Sequence, residues 1–159
     1  MEPAHRLPAT SRRVELHTRP RLNQAIQERA DARILQLEGA SAQEIGQRLH
    51  ELDREWDVER VLQTNAPVLV LLGLALGARL DRRFLLLPAA VFGFFGQHAL
   101  QGWCPPIPVL RRLGVRTQRE IERERYALKA LRGDFDDVPT RGEAPTAQRV
   151  RAALAAVDR

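Results

Sequence analysis

From Asn65 to Trp103 the chain carries formal charges only at Arg79, Asp81, Arg82 and Arg83, whereas both flanks are dense in Arg, Glu and Asp. This contrast limits the possible folds more than any other feature. Hydrocarbon rejects uncompensated charge and unpaired backbone, so a charge-poor block of this length must be helical or paired, and covered by protein or by lipid. Whole-chain averages, 44% hydrophobic and 28% charged over 159 residues, resemble those of one soluble domain and conceal the block.

The block divides into "NAPVLVLLGLALGA" (65–78) and "FLLLPAAVFGFFGQHALQGW" (84–103), separated by "RLDRR". A helix rises about 1.5 Å per residue and hydrocarbon is about 30 Å thick, so the second run spans unaided. The first spans only when residues 61–64 are added. The expected segments are therefore 61–79 and 84–103, within a transmembrane hairpin of residues 61–106. Gly73 and Gly77 form a G-x-x-x-G, and Ala89, Gly93, Gln97 and Gln101 recur every fourth residue. Small residues let helices approach closely in lipid. A turn centred on Asp81 sets Gly73 opposite Ala89 and Asn65 opposite Gln97. Two readings of those amides stay open: they satisfy each other, or each reaches interfacial water.

Residues 1–18 lack a sustained period and read as a disordered N-terminal tail. Residues 19–60 predict two charged amphipathic helices. In the first, Leu22, Ile26, Ala30, Ile34 and Leu37 recur at helical spacing before Gly39. The second opens at Ser41, with Glu44 completing an S-x-x-E capping box, and carries Ile45, Leu49, Leu52 and Trp56 in line. "CPPIPV" cannot continue a regular helix, so the chain leaves the span there, with Trp103 as an interfacial anchor. Residues 107–134 form a juxtamembrane helical segment, with Thr117 and Glu120 as a second capping box and Gly133 as the stop. Residues 135–159 are a linker and a last amphipathic helix carrying Val150, Leu154 and Val157. The fold class is all-α: a two-helix transmembrane hairpin flanked by amphipathic or soluble helices. A soluble bundle cored by the same block is the rival.

The net charge of +5 comes largely from arginines beside Glu or Asp, as in "REIERERY", which describes a solvated, ion-paired face. The expected partner of the chain is a lipid bilayer and not nucleic acid. A single cysteine permits no intramolecular disulfide, and the N-terminus lacks the apolar core of a secretory signal. No glycine-rich phosphate loop, C-x-x-C or H-E-x-x-H is present, so no metal, no cofactor and no enzymatic activity is expected.

The stretch "GWCPPIPVLRRLGV" (102–115), following a glycine-rich two-helix hairpin, resembles the YgaP-like transmembrane family of small bacterial inner-membrane proteins. Some members are fused to, or found with, rhodanese sulfurtransferase domains. The resemblance covers residues 58–116 and is carried by Gly102, Trp103, Cys104 and Pro105, with Leu113 and Gly114 behind them. It implies an inner-membrane location and a separate rhodanese-type sulfurtransferase as partner. The flanks are too short and too helical to be a rhodanese domain, so no sulfurtransferase site carries over.

Cys104 is the candidate thiol: at the interface and followed by Arg111 and Arg112, it is placed to accept a persulfide or disulfide, unless it is simply a small buried hydrophobe. His98 reads as a hydrogen-bonded or snorkelling histidine near the end of its span. The expected function is a self-associating, homo-oligomeric membrane interaction module linked to sulfur or thiol handling through Cys104. The alternative is a subunit of an oligomeric pore or transporter lined by Gln97, Gln101 and His98. Arg48, Arg54, Arg60, Arg111, Arg112, Arg116, Arg119 and Arg123 flank the hairpin, against Arg79, Arg82 and Arg83 in its turn, which directs both termini to the cytoplasm.

Overall fold

The computed structural model describes residues 8–159, and every regular element among them is a helix. In chain order these are α1 (Arg13–Leu16), α2 (Pro20–Gln36), α3 (Ala42–Arg54), α4 (Val58–Arg79), a 3-10 turn (Arg82–Leu85), α5 (Leu86–Gln101), α6 (Ile107–Arg112), α7 (Gln118–Arg132) and α8 (Thr146–Asp158).

The helix starts follow the capping chemistry in the sequence. Ser41 Oγ accepts from the Glu44 amide at 3.3 Å, while the Glu44 carboxylate accepts from the Ser41 amide at 2.8 Å. The Ser41 hydroxyl also donates to that carboxylate at 2.7 Å, and it, with the amide, holds the Glu44 carboxyl below the usual range. Thr117 and Glu120 make the same reciprocal pair at 3.3 and 2.8 Å. Asp57 caps α4 by accepting from the Arg60 amide at 2.8 Å.

The chain divides into two compact units, one of residues 8–28 and Trp56–Ile121, the other of Arg29–Glu55 and Glu122–Arg159. In the first, Val14, Val58, Leu62, Cys104 and Ile107 form the core, with Phe95, Leu110 and Val115 packed against it. Arg111, only 1% exposed, donates to both Glu120 oxygens at 2.7 and 2.6 Å, to the Val115 carbonyl at 2.9 Å and to Asn23 Oδ1 at 2.9 Å. In the second unit Glu124 is fully buried and accepts from Arg33 at 3.1 Å and Arg48 at 2.9 Å. Ile45, Leu49 and Leu52 of α3 and Leu128 of α7 are that unit's buried aliphatics. Lys129 Nζ donates to the Val157 carbonyl at 2.5 Å, tying the end of α8 to α7.

α4 has 22 residues, about 33 Å at helical rise, and the helical segment Arg82–Gln101 has 20; both are long and apolar enough to cross a membrane. Only 17% and 11% of their apolar windows are buried, whereas the core helix of a soluble bundle would be mostly covered. Leu71, Leu86, Phe92 and Leu100 are exposed along this hairpin.

The helices touch where Gly73 and Gly77 remove side chains. A Cβ at Gly73 would lie 2.4 Å from Pro88 Cδ, and one at Gly77 would lie 2.6 Å from Leu85 Cδ2. The partner row is thus Pro88 and Leu85, and the expected row of Ala89 and Gly93 is exposed, with open space around Gly93. The 3-10 turn explains the shift. Its residues advance about 120° each against about 100° in an α-helix, so four of them rotate the following face by about 80°, close to one residue. Asn65 does not meet Gln97: its Nδ2 donates to the Val61 carbonyl of its own helix at 2.9 Å.

Three further expectations change. Residues 13–16 of the expected tail form a helix with Val14 buried, too short to show a period; Thr18 Oγ1 donates to the Val14 carbonyl and Asn23 Nδ2 to the Glu15 carbonyl, both at 2.8 Å. Residues 1–7 of that tail lie outside the described residues. Trp56 follows the end of α3, exposed, with the Arg60 guanidinium 4.8 Å over its ring. Val150, Leu154 and Val157 of α8 are exposed, and it is Ala156 that is buried.

Two predictions follow from these contacts. Gly73→Leu overpacks the hairpin against Pro88 and lowers stability in detergent by about 1–3 kcal/mol, while Gly93→Leu is near neutral. Cysteines placed at 73 and 88 in a Cys104→Ser background cross-link; linkage of 73 with 93 instead would show this register to be wrong. The second concerns acid. Arg132 binds both Asp134 oxygens, at 2.8 and 2.7 Å, and holds that carboxyl below its usual 3.8, with burial opposing and Lys129 and Arg159 assisting. A depressed carboxyl stabilises above the unfolded value and loses that contribution as pH falls through the folded one. Asp134→Asn therefore flattens the acid limb below about pH 4 in circular-dichroism melts; an unchanged limb would rule out this contribution.

Candidate functional site

The unit-one core contains three groups with acid–base or nucleophilic chemistry. Glu59 lies in the first turn of α4, His98 in the last turn of α5, and Cys104 just beyond it. Gly102 makes the arrangement possible. It closes α5 in the left-handed region, with φ 79 and ψ 17, and its amide donates to the His98 carbonyl at 2.7 Å. A Cβ there would meet Arg13 Cβ at 2.5 Å, so only glycine combines this turn with the approach of α1. The chain then turns at Pro105 and Pro106, and the Ile107 amide donates to the Cys104 carbonyl at 3.1 Å, which leaves Cys104 facing the core.

Glu59 has two partners. Arg13 donates to its Oε1 at 2.8 Å and also to the Ala99 carbonyl at 3.4 Å, and His98 Nε2 lies 2.9 Å from its Oε2. An ionised carboxylate only accepts, so Nε2 carries a proton and donates it to Glu59 Oε2. Nδ1 is buried with no well-aligned hydrogen-bond partner, and His98 is 2% exposed. Besides Glu59, the side chain acting on this ring is the Cys104 thiol. The order is carboxylate, imidazole, thiol: a carboxylate that orients the ring, an imidazole able to carry a proton, and a sulfur nucleophile.

Cys104 is 4% exposed, and the space it meets is a groove of about 280 Å³ between α4 and α5. Leu62, Ala66, Leu69, Ala90 and Phe94 are among its walls. Leu69 and Phe94 are themselves exposed, so the groove opens on the apolar outer surface of the hairpin. Trp103, half-buried, contacts Phe94 edge-on at 6.5 Å.

Of the residues singled out in the sequence, the structure joins Cys104 with His98 and keeps Gln101 apart on the exposed surface. His98 faces inward to Glu59 and does not share an outer face with Gln101. Arg111, expected beside Cys104, is committed to Glu120, Asn23 and Val115. Sequence reasoning missed Glu59 and Arg13. Glu59 was findable, because the first turn of α4 and the last turn of α5 share the end of the hairpin opposite "RLDRR". Arg13 gave no signal, because α1 has no period. Among the described residues no group of three or more His, Cys, Asp or Glu is placed to hold a metal ion.

The second unit has a polar cleft of about 380 Å³ between α3, α7 and α8, whose bases are engaged: Arg125 with Asp53 and Glu122, Lys129 with the Val157 carbonyl, Arg132 with Asp134. No family model matches the sequence, and no curated protein and no solved structure matches it.

The geometry predicts selective access to the thiol. In intact protein reconstituted in vesicles, an uncharged, membrane-soluble maleimide labels Cys104 at least roughly ten-fold faster than a charged reagent of equal intrinsic reactivity. His98→Gln slows the uncharged reagent by about an order of magnitude, since the base is lost. Equal labelling by the two reagents would mean that the thiol faces water.

Proposed function

We propose that this chain is a small integral protein of the bacterial inner membrane with both termini cytoplasmic, whose hairpin holds a thiol-handling site at the cytoplasmic interface. One observation carries this reading: a Cys104–His98–Glu59 cluster is built into the end of two helices whose apolar surfaces are left largely uncovered by protein. Lipid is the natural cover for those surfaces. The excess of arginines in the flanks supports the orientation, and the second span then delivers Cys104 to the reducing side of the membrane, where it remains a thiol. Gly93 and Gly96 have open space around them, so self-association on the outer face of α5 belongs to the same proposal. The resemblance at residues 102–115 adds the expectation of a sulfur donor such as a rhodanese-type sulfurtransferase.

The test is fractionation followed by topology. The protein stays with membranes through carbonate extraction, and in a Cys104→Ser background a cysteine at 82 is labelled from outside intact cells while one at 50 is not. Release by carbonate would return the chain to the soluble class, and the opposite labelling pattern would invert the orientation.

A further inference from the structure

The thiol site has an approach, and the approach has a chemistry. Cys104 is closed off by Val14, Val58, Leu62 and Ile107, and its opening is the groove between α4 and α5, walled by aliphatic and aromatic side chains. At 280 Å³ this space is a slot for a single hydrocarbon chain and far too small for a folded segment. Leu69, Ala90 and Phe94 of its lining are exposed on the surface of the two candidate spans, so on that surface the medium it meets is acyl chains. Cys104 is part of its lining, and the imidazole that acts with it, His98, is buried with an Nδ1 that lacks a well-aligned partner, the carboxylate that orients the ring being fixed in turn by Arg13.

Resting on the thiol-site reading above, we infer that Cys104 is a covalent acyl site: it takes a long-chain acyl group from an acyl thioester, and the chain lies in the α4–α5 groove. The thiol proton passes to His98 Nδ1, and the Cys104 sulfur adds to the thioester carbonyl. The tetrahedral adduct collapses by breaking the bond to the donor's sulfur, and the departing thiolate recovers the proton from His98. One thioester is lost and one formed, the donor leaves as a free thiol, and no oxidant or reductant is involved. Glu59 and Arg13 are positioning residues that hold the imidazole with Nδ1 toward the thiol. The hydrocarbon supplies binding in proportion to the apolar area it buries, so chain length controls the rate. Cysteines beside membrane helices are common places for this modification.

The full chain in phospholipid vesicles is incubated with palmitoyl-coenzyme A or acetyl-coenzyme A and followed by intact mass. A hydroxylamine-labile adduct is expected from the palmitoyl donor, at least roughly ten-fold faster than from the acetyl donor. It is absent in Cys104→Ser and slowed by an order of magnitude or more in His98→Gln and Glu59→Gln. Ala90→Phe, which narrows the groove, lowers the palmitoyl rate and spares the acetyl rate. Equal rates for the two donors in the unaltered protein would overturn the assignment without recourse to any variant, as would an adduct indifferent to His98. Failure of both donors while the membrane-soluble maleimide still labels Cys104 would remove the acyl assignment and leave the thiol site standing. Failure of all three reagents would remove both. Lipid or a second copy filling the groove would appear as acylation blocked in vesicles and restored in dilute detergent, and would also overturn it.

Discussion

The Arg111–Glu120 pair is the interaction on which the first unit is assembled. Burying an arginine is expensive unless its donors are met, and a pair in low dielectric repays desolvation only when the remaining hydrogen-bonding capacity is also used. Here two Arg111 nitrogens reach both Glu120 oxygens, the Val115 carbonyl and Asn23, and Nε alone of the three is buried without a partner. Glu120 Oε2 also accepts the Thr117 amide, so one oxygen atom starts α7 and neutralises the arginine. From the same turn, the Arg116 carbonyl accepts the Val58 amide at 2.9 Å, and α4 begins there. The apolar hairpin thus springs from a polar platform whose parts come from α2, α6, α7 and the turn between the last two.

That platform explains how charge and hydrocarbon coexist in a chain of this size. The apolar surfaces of α4 and α5 are largely uncovered, while the charged groups at the start of α4 and the acids of the turn have partners near their helix ends. Glu59 is shared between Arg13 and His98, Asp57 and Asp81 are spent on amides, and Arg60 lies over Trp56. α4 exceeds the first apolar run because it begins at Val58, among polar residues held by the platform.

What the sequence reveals depends on how local the cause is. Ser41–Glu44 and Thr117–Glu120 were legible because capping is a matter of three residues, and the two apolar helices because hydrophobicity accumulates along a run. The contact face of α5 was not, because a 3-10 turn of four residues rotates everything after it, and "RRFL" does not declare that turn. Gly73 and Gly77 were read as packing positions and do pack; the partner of Gly73 slipped by one residue, from Ala89 to Pro88, while Gly77 meets Leu85 as a turn centred on Asp81 places it. The site was half legible. Cys104 and His98 drew notice through their types, but Glu59 looked like one more member of a charged flank, and Arg13 like part of a tail. Long-range pairing of this kind, 46 and 39 residues apart, leaves no periodic trace.

Arg13 sits almost at the start of the chain, yet its partners are Glu59, Ala99 and Gly102. A ribosome delivers them in the reverse of the order the structure needs. When Arg13 emerges nothing exists for it to bind, and it must wait until both helices of the hairpin have been made and Gly102 has turned the chain back. α1 therefore closes only over a finished hairpin, and the carboxylate beneath it gains its second partner at that moment. A nascent chain arrested before residue 102 holds Glu59 without either of its cationic or imidazole partners fully in place. The thiol's surroundings are in this way completed by α1 only once the end of α5 is in place.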